Sequence, residues 1–162
     1  MKKLTALLLI VMMLLCLAAC GKKDEKEAAA KPATPQEVYA KMEEQVTFPE
    51  KMVRLSDEDL LNTFGFETEN FEEFVYVICE NILLAENIVL VKVKDGVDPE
   101  TVKKTLSEYV SDQTMMLESY VPEQAVVAKK SVVGVKGDFV YMIMSSKVTE
   151  LEKIVNEMVT AK

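Results

Sequence analysis

At 162 residues, 49% hydrophobic and 28% charged with five Gly and five Pro, the chain is long enough for one core and too apolar to remain disordered throughout. It carries 27 acidic against 19 basic side chains, a net charge of -8, and no His. Such a surface repels phosphate backbones, so no nucleic acid partner is expected, and acid-base chemistry without imidazole would need paired carboxylates or a tuned Lys.

The chain opens with Lys2 and Lys3, then an apolar run from Leu4 to Ala19 broken only by Thr5. This is the n-region and h-region pattern of a secretory leader, and it is shorter than the roughly 20 residues of a spanning helix. Leu17-Ala18-Ala19-Cys20 resembles the lipobox of bacterial lipoproteins. The resemblance implies a diacylglyceryl group on the Cys20 thiol and cleavage just before it, with Leu17, Ala18 and Ala19 read by the signal peptidase. Two acyl chains make a stable membrane anchor where one is marginal. Residues 1–19 are therefore expected to be a signal peptide, and the mature protein to be lipid-anchored on the extracytoplasmic face of the cell membrane. Losing Lys2 and Lys3 leaves 17 basic against 27 acidic residues, or -10, so charge is not what would hold it there.

Residues 20–34, the cysteine followed by "GKKDEKEAAAKPAT", show no apolar face and read as a tether spanning about 20 Å as a flexible coil. Cys16 would leave with the leader and Cys20 would be lipidated, so Cys79 is left without a pairing partner. With no His to activate it, a buried structural thiol is expected.

The remainder, 35–162, reads as a single α+β domain. Thr34-Pro35-Gln36-Glu37 is a capping box with Pro at the first helical position, and Val38, Met42 and Val46 follow at helical spacing, predicting a helix over 35–46. Ser56 to Asp59 repeats the cap before a short helix that Gly65 stops. "FEEFVYVICENI" and "NIVLVKVKD" have the composition of strands. Asp98-Pro99 starts a long helix with an apolar stripe through Val102, Leu106, Tyr109, Val110, Gln113 and Leu117, interrupted once by the Gln. "SVVGV" and "DFVYMIM" follow as a hairpin turning at Lys136-Gly137, and a last helix carries Val148, Leu151, Ile154, Val155, Met158 and Val159.

The last six elements echo one another as two ββα units, which predicts a four-stranded, mainly antiparallel sheet with two helices on one face, preceded by two N-terminal helices. In "FVYMIM", Phe139, Tyr141 and Ile143 point one way and Val140, Met142 and Met144 the other, so both faces of the sheet need cover. The cover is either the two N-terminal helices or a partner, meaning another envelope protein or a second copy.

The stretches "LSDEDLLNTFGF", "NIVLVKVKDG", "YVPEQ" and "VKGDFVYMIM" make the chain from about Val38 to Val159 resemble an uncharacterised family of small lipoproteins from anaerobic Gram-positive bacteria, known only as a domain of unknown function. The resemblance implies class and location and carries no activity. "YVICENILLAEN" is more apolar than the Ser/Ala-rich loop the resemblance implies.

No phosphate loop, nucleophile elbow or Cys/His metal spacing is present, so no catalytic residue, metal or cofactor is assigned. Asp95-Gly96-Val97-Asp98 lacks the remaining ligands of a calcium loop and reads as a turn and helix cap. Most methionines beyond the leader read as core filler. The expectation is a non-enzymatic domain that binds a protein partner or ligand near the membrane; the alternative is a cell-envelope enzyme or accessory subunit working through carboxylates. The loop "SYVPEQ", where Pro122 should end the long helix, offers Tyr120, Glu123 and Gln124 either as a binding rim or as the start of the return to the next strand.

Overall fold

The computed structural model describes residues 33–159. The lipobox residues Leu17, Ala18, Ala19 and Cys20 and most of the tether lie outside them. Helix α1 (Pro35–Gln45) starts on the expected reciprocal cap: the Glu37 N–H donates to Thr34 Oγ1, and the Thr34 N–H donates to Glu37 Oε2 at 2.8 Å. Strand β1 (Met52–Arg54) follows, then α2 (Asp57–Phe64), capped the same way by Ser56 and Asp59 and ended by Gly65 at φ 69°. A positive φ is the conformation in which Gly carries no Cβ penalty, so the helix stops there.

The central sheet strands are β2 (Phe71–Cys79) and β3 (Asn87–Val93). Helix α3 (Pro99–Tyr120) is capped by Asp98, whose carboxylate accepts from the Glu100 N–H and the Thr101 hydroxyl. Those oxygens are committed to the helix, as the reading of 95–98 as a turn and cap requires. A short helix α4 (Pro122–Ala128), the hairpin β4 (Val132–Lys136) and β5 (Phe139–Met144), and α5 (Val148–Met158) complete the described residues.

The fold is α+β, and three of the finer expectations change. The sheet has five strands, in the order β1-β2-β3-β5-β4 with every neighbouring pair antiparallel. The extra strand escaped the sequence reading because three residues of "KMVRL" are too few to show alternation. Next, Pro122 ends one helix and begins another. It stands at the first position of α4, where its missing N–H is not needed, so the expected loop shrinks to Val121.

The third change concerns the helices. Val38, Tyr39 and Met42 of α1 and Leu151, Ile154 and Val155 of α5 pack with Val75, Val77, Ile88, Leu90, Phe139, Tyr141 and Ile143 on one face. Leu60 and Phe64 of α2 and Val102 and Leu106 of α3 pack with Tyr76, Val89, Val91, Val140 and Met142 on the other. The helices of the two ββα units thus lie on opposite faces. A rotation that exchanged the two strand pairs about the β3/β5 seam would put both helices on one face, so the echo is a resemblance of pattern and not a structural repeat. The N-terminal helices do cover the sheet, but one on each side.

A bulge between Phe71 and Glu73 explains a parity that alternation alone gets wrong. The inserted residue turns Phe71 onto the α2/α3 face with Tyr76. There Phe64, Phe66, Phe71, Tyr76 and Tyr109 form a chain of ring contacts with centroids 4.8 to 5.6 Å apart, joining α2, β2 and α3.

Candidate functional site

At the end of the sheet where β2 turns into β3, the loop 80–86, the last turns of α3 and helix α4 meet over Met144. Ala85, Leu117, Ala125, Ala128 and Met144 are buried together there as a small separate core. Beside it opens a cleft of about 270 Å³ lined by Tyr76, Ile78, Cys79, Ile82, Leu84, Ala85, Glu86, Asn87, Tyr109, Gln113, Met116, Leu117 and Met144.

Its floor is polar and held. Asn87 Nδ2 donates to the Tyr109 hydroxyl at 2.7 Å, while the buried Asn87 Oδ1 has no partner among the described residues. Burial, with the neighbouring Tyr76 second, pushes the Tyr109 phenol well above its ordinary range, and the Asn87 hydrogen bond only partly opposes this. The same phenol accepts the Asn87 hydrogen bond. Cys79 is buried at 1% exposure, as expected of a structural thiol.

Glu86 is the carboxylate among the lining residues, and it is 4% exposed. It accepts from the Ser145 hydroxyl, from the Ser146 hydroxyl and from the Ser146 N–H at 2.8 Å. Three donors aimed at one carboxylate make a tie between the loop and the turn into α5. The loop has further ties. The Cys79 N–H donates to the Glu86 carbonyl, the Leu83 N–H to Asn81 Oδ1, and the Ala85 N–H to Gln124 Oε1 at 2.9 Å. Glu118 of α3 and Lys129 after α4 form an ion pair at 2.6 Å.

What this held framework displays is apolar. Ile82 at the loop tip is 80% exposed, Leu83 59%, and Tyr120 at the end of α3 81%; Met115, Met116 and Val126 are exposed on the same elements. Of the large apolar side chains left exposed among the described residues, only Leu61 lies elsewhere. The other methionines beyond the leader are buried or half-buried, so the adjacent pair at the end of α3 is the exception to core filling.

The three rim residues expected from sequence divide. Tyr120 and Glu123 are exposed and are not among the residues lining the cleft, whereas Gln124 is half-buried and spends its side-chain oxygen on the Ala85 N–H. Sequence reading missed Ile82, Leu83, Asn87 and Met116. The signal was present in "ICENILLAEN", a loop far too apolar for one that faces water on all sides.

The family model for a domain of unknown function, DUF4358, matches residues 44–145, more than half of the chain. The chain belongs to that family. The match runs from the end of α1 through β5 and takes in the whole cleft wall, so the site lies in the DUF4358 domain itself and not in an appendage. No curated protein and no solved structure matches the chain. Among the described residues, no helix is long and apolar enough to cross a membrane, and no group of His, Cys, Asp or Glu is placed to hold a metal ion.

Proposed function

We propose that the mature protein is an extracytoplasmic lipoprotein, anchored through diacylglyceryl-Cys20, whose DUF4358 domain docks an envelope protein at the cleft end and carries out no catalysis. The observation that carries the reading is the band of exposed apolar side chains around the cleft, presented on a loop that several hydrogen bonds hold in place. Exposed Ile and Leu on a held loop lose little further conformational freedom on binding, which is what a preorganised docking surface requires. The lining carboxylate is occupied by Ser145 and Ser146, and the phenol is kept neutral, which speaks for binding over carboxylate chemistry.

Two variants test the two halves separately. Cys20→Ser is expected to abolish lipid labelling and leave the precursor uncut; normal processing would remove the anchor from the account. Ile82→Glu with Leu83→Glu is expected to leave the melting temperature within a few degrees of wild type while recovery of crosslinked partner falls. Unchanged recovery would remove the docking surface.

A further inference from the structure

Gln113 interrupts the apolar stripe of α3, one turn after Tyr109 and one turn before Leu117, on the row that faces the protein interior. A Leu would fit that row. The structure places Gln113 half-buried in the wall of the cleft, and its side-chain amide takes part in none of the hydrogen bonds among the described residues. On the floor Asn87, 7% exposed, uses its Nδ2 on the Tyr109 hydroxyl and leaves its Oδ1 without a partner. Two amides with unused hydrogen-bonding capacity thus line one cleft. Polar groups kept from water without partners cost stability, a cost that a molecule entering the cleft can recover.

The rest of the lining fixes the chemistry of that molecule. Ile78, Ile82, Leu84, Met116 and Leu117 supply apolar walls, and no Lys or Arg stands among the lining residues. The lining carboxylate, Glu86, is taken by Ser145 and Ser146. An anion would enter without a counter-charge and a cation would have to displace those serines, so the site suits an uncharged molecule. At about 270 Å³ it is smaller than the pockets of about 300–1,000 Å³ that hold drug-sized ligands, yet larger than a cavity of about 150 Å³ that holds benzene. One ring with a short polar head is the size that fits.

We infer that the cleft binds a small uncharged carboxamide, its apolar body against Ile82 and Met116 and its head paired with the amide of Gln113. A carboxamide donates and accepts at once, as Gln113 does, so the two can exchange a pair of hydrogen bonds. Met116, unbranched and polarizable, adapts to the body of the ligand. The site is built within one copy of the domain and needs neither a docked protein nor the anchor, so it stands or falls apart from the docking surface.

Benzamide is the probe, titrated into the full chain in detergent micelles with the methionine methyls isotope-labelled for NMR. It is expected to shift the Met116 and Met144 methyl signals saturably and to leave Met42, buried on the other face of the sheet, in place. Benzoate has the same shape with a charge, and acetophenone keeps the ring and carbonyl without an N–H; each should bind at least several-fold more weakly. Gln113→Leu completes the apolar stripe, so it should keep the melting temperature at or above wild type while weakening benzamide several-fold. The comparison of three probes on the unaltered chain does not depend on how that variant folds. No saturable shift up to the solubility limit of benzamide, equal binding by benzoate or acetophenone, shifts at Met42 equal to those at Met116, or unweakened binding to Gln113→Leu would overturn the inference.

Discussion

Glu86 shows how one side chain shapes the site through the donors it holds. A buried carboxylate surrounded by donors is stable only as a set, and removing it strands the buried Ser145 hydroxyl. Glu86→Ala should therefore cost about 2 kcal/mol or more in urea unfolding; a loss below about 0.5 kcal/mol would mean the loop is not held as described. Gln124→Ala should destabilise by about 1 kcal/mol through the freed Ala85 N–H, and Glu123→Ala should not. A second residue-level test uses pH. Burial of Tyr39, followed by the nearby Glu43 carboxylate, raises its phenol far above the ordinary value, with the Arg54 guanidinium over the ring opposing them. Unfolded tyrosine ionises near pH 10, so above that pH the native state keeps a proton that the unfolded state has lost. Stability is then intact below about pH 10 and declines as pH rises further. Tyr39→Phe should make that decline shallower in melting curves taken from pH 8 to 11; equal slopes would contradict the assignment.

Among the elements, the hairpin β4–β5 is the least forgiving. Gly134→Ala must push aside the buried Tyr141 ring, and an overpacking cost of about 1–3 kcal/mol is expected; a stability equal to wild type would show that the ring has somewhere else to go. Much at this scale was legible in the residues. Thr34-Pro35-Gln36-Glu37 and Ser56 to Asp59 are self-contained caps whose donors and acceptors lie within three residues of one another, so sequence alone specified them. The two-sided burial of "FVYMIM" was equally plain, because its inner and outer faces are set by a period of two. Which helix covers which face was not legible. That choice is made by connections such as the tight Ser145–Lys147 turn, where packing distant in sequence decides the direction. The same limit hid the cleft. Asn87 comes from β3 and Tyr109 and Gln113 from α3, and only the tertiary fold brings the two elements together.

For the whole molecule, the apolar end of the domain and the residue at which the proposed tether enters lie apart. Thr34, where the tether would enter, sits at the start of α1, and the adjoining Gln36 N–H donates to Glu73 early in β2. The apolar rim lies beyond the far end of that strand, after Cys79. From Glu73 to Cys79 the strand spans about 20 Å, so the rim is held well away from the start of α1, where a neighbouring protein can reach it. The central claim is that this end docks a protein. Its most direct measurement is site-specific photo-crosslinking in intact membranes, with the probe at Ile82 or Met116 and, as control, at the exposed Glu43 on α1. A discrete adduct from Ile82 and from Met116, lost with Leu83→Glu and missing from Glu43, is the predicted result. Equal adducts from all three positions, or none from Ile82 and Met116, would contradict it.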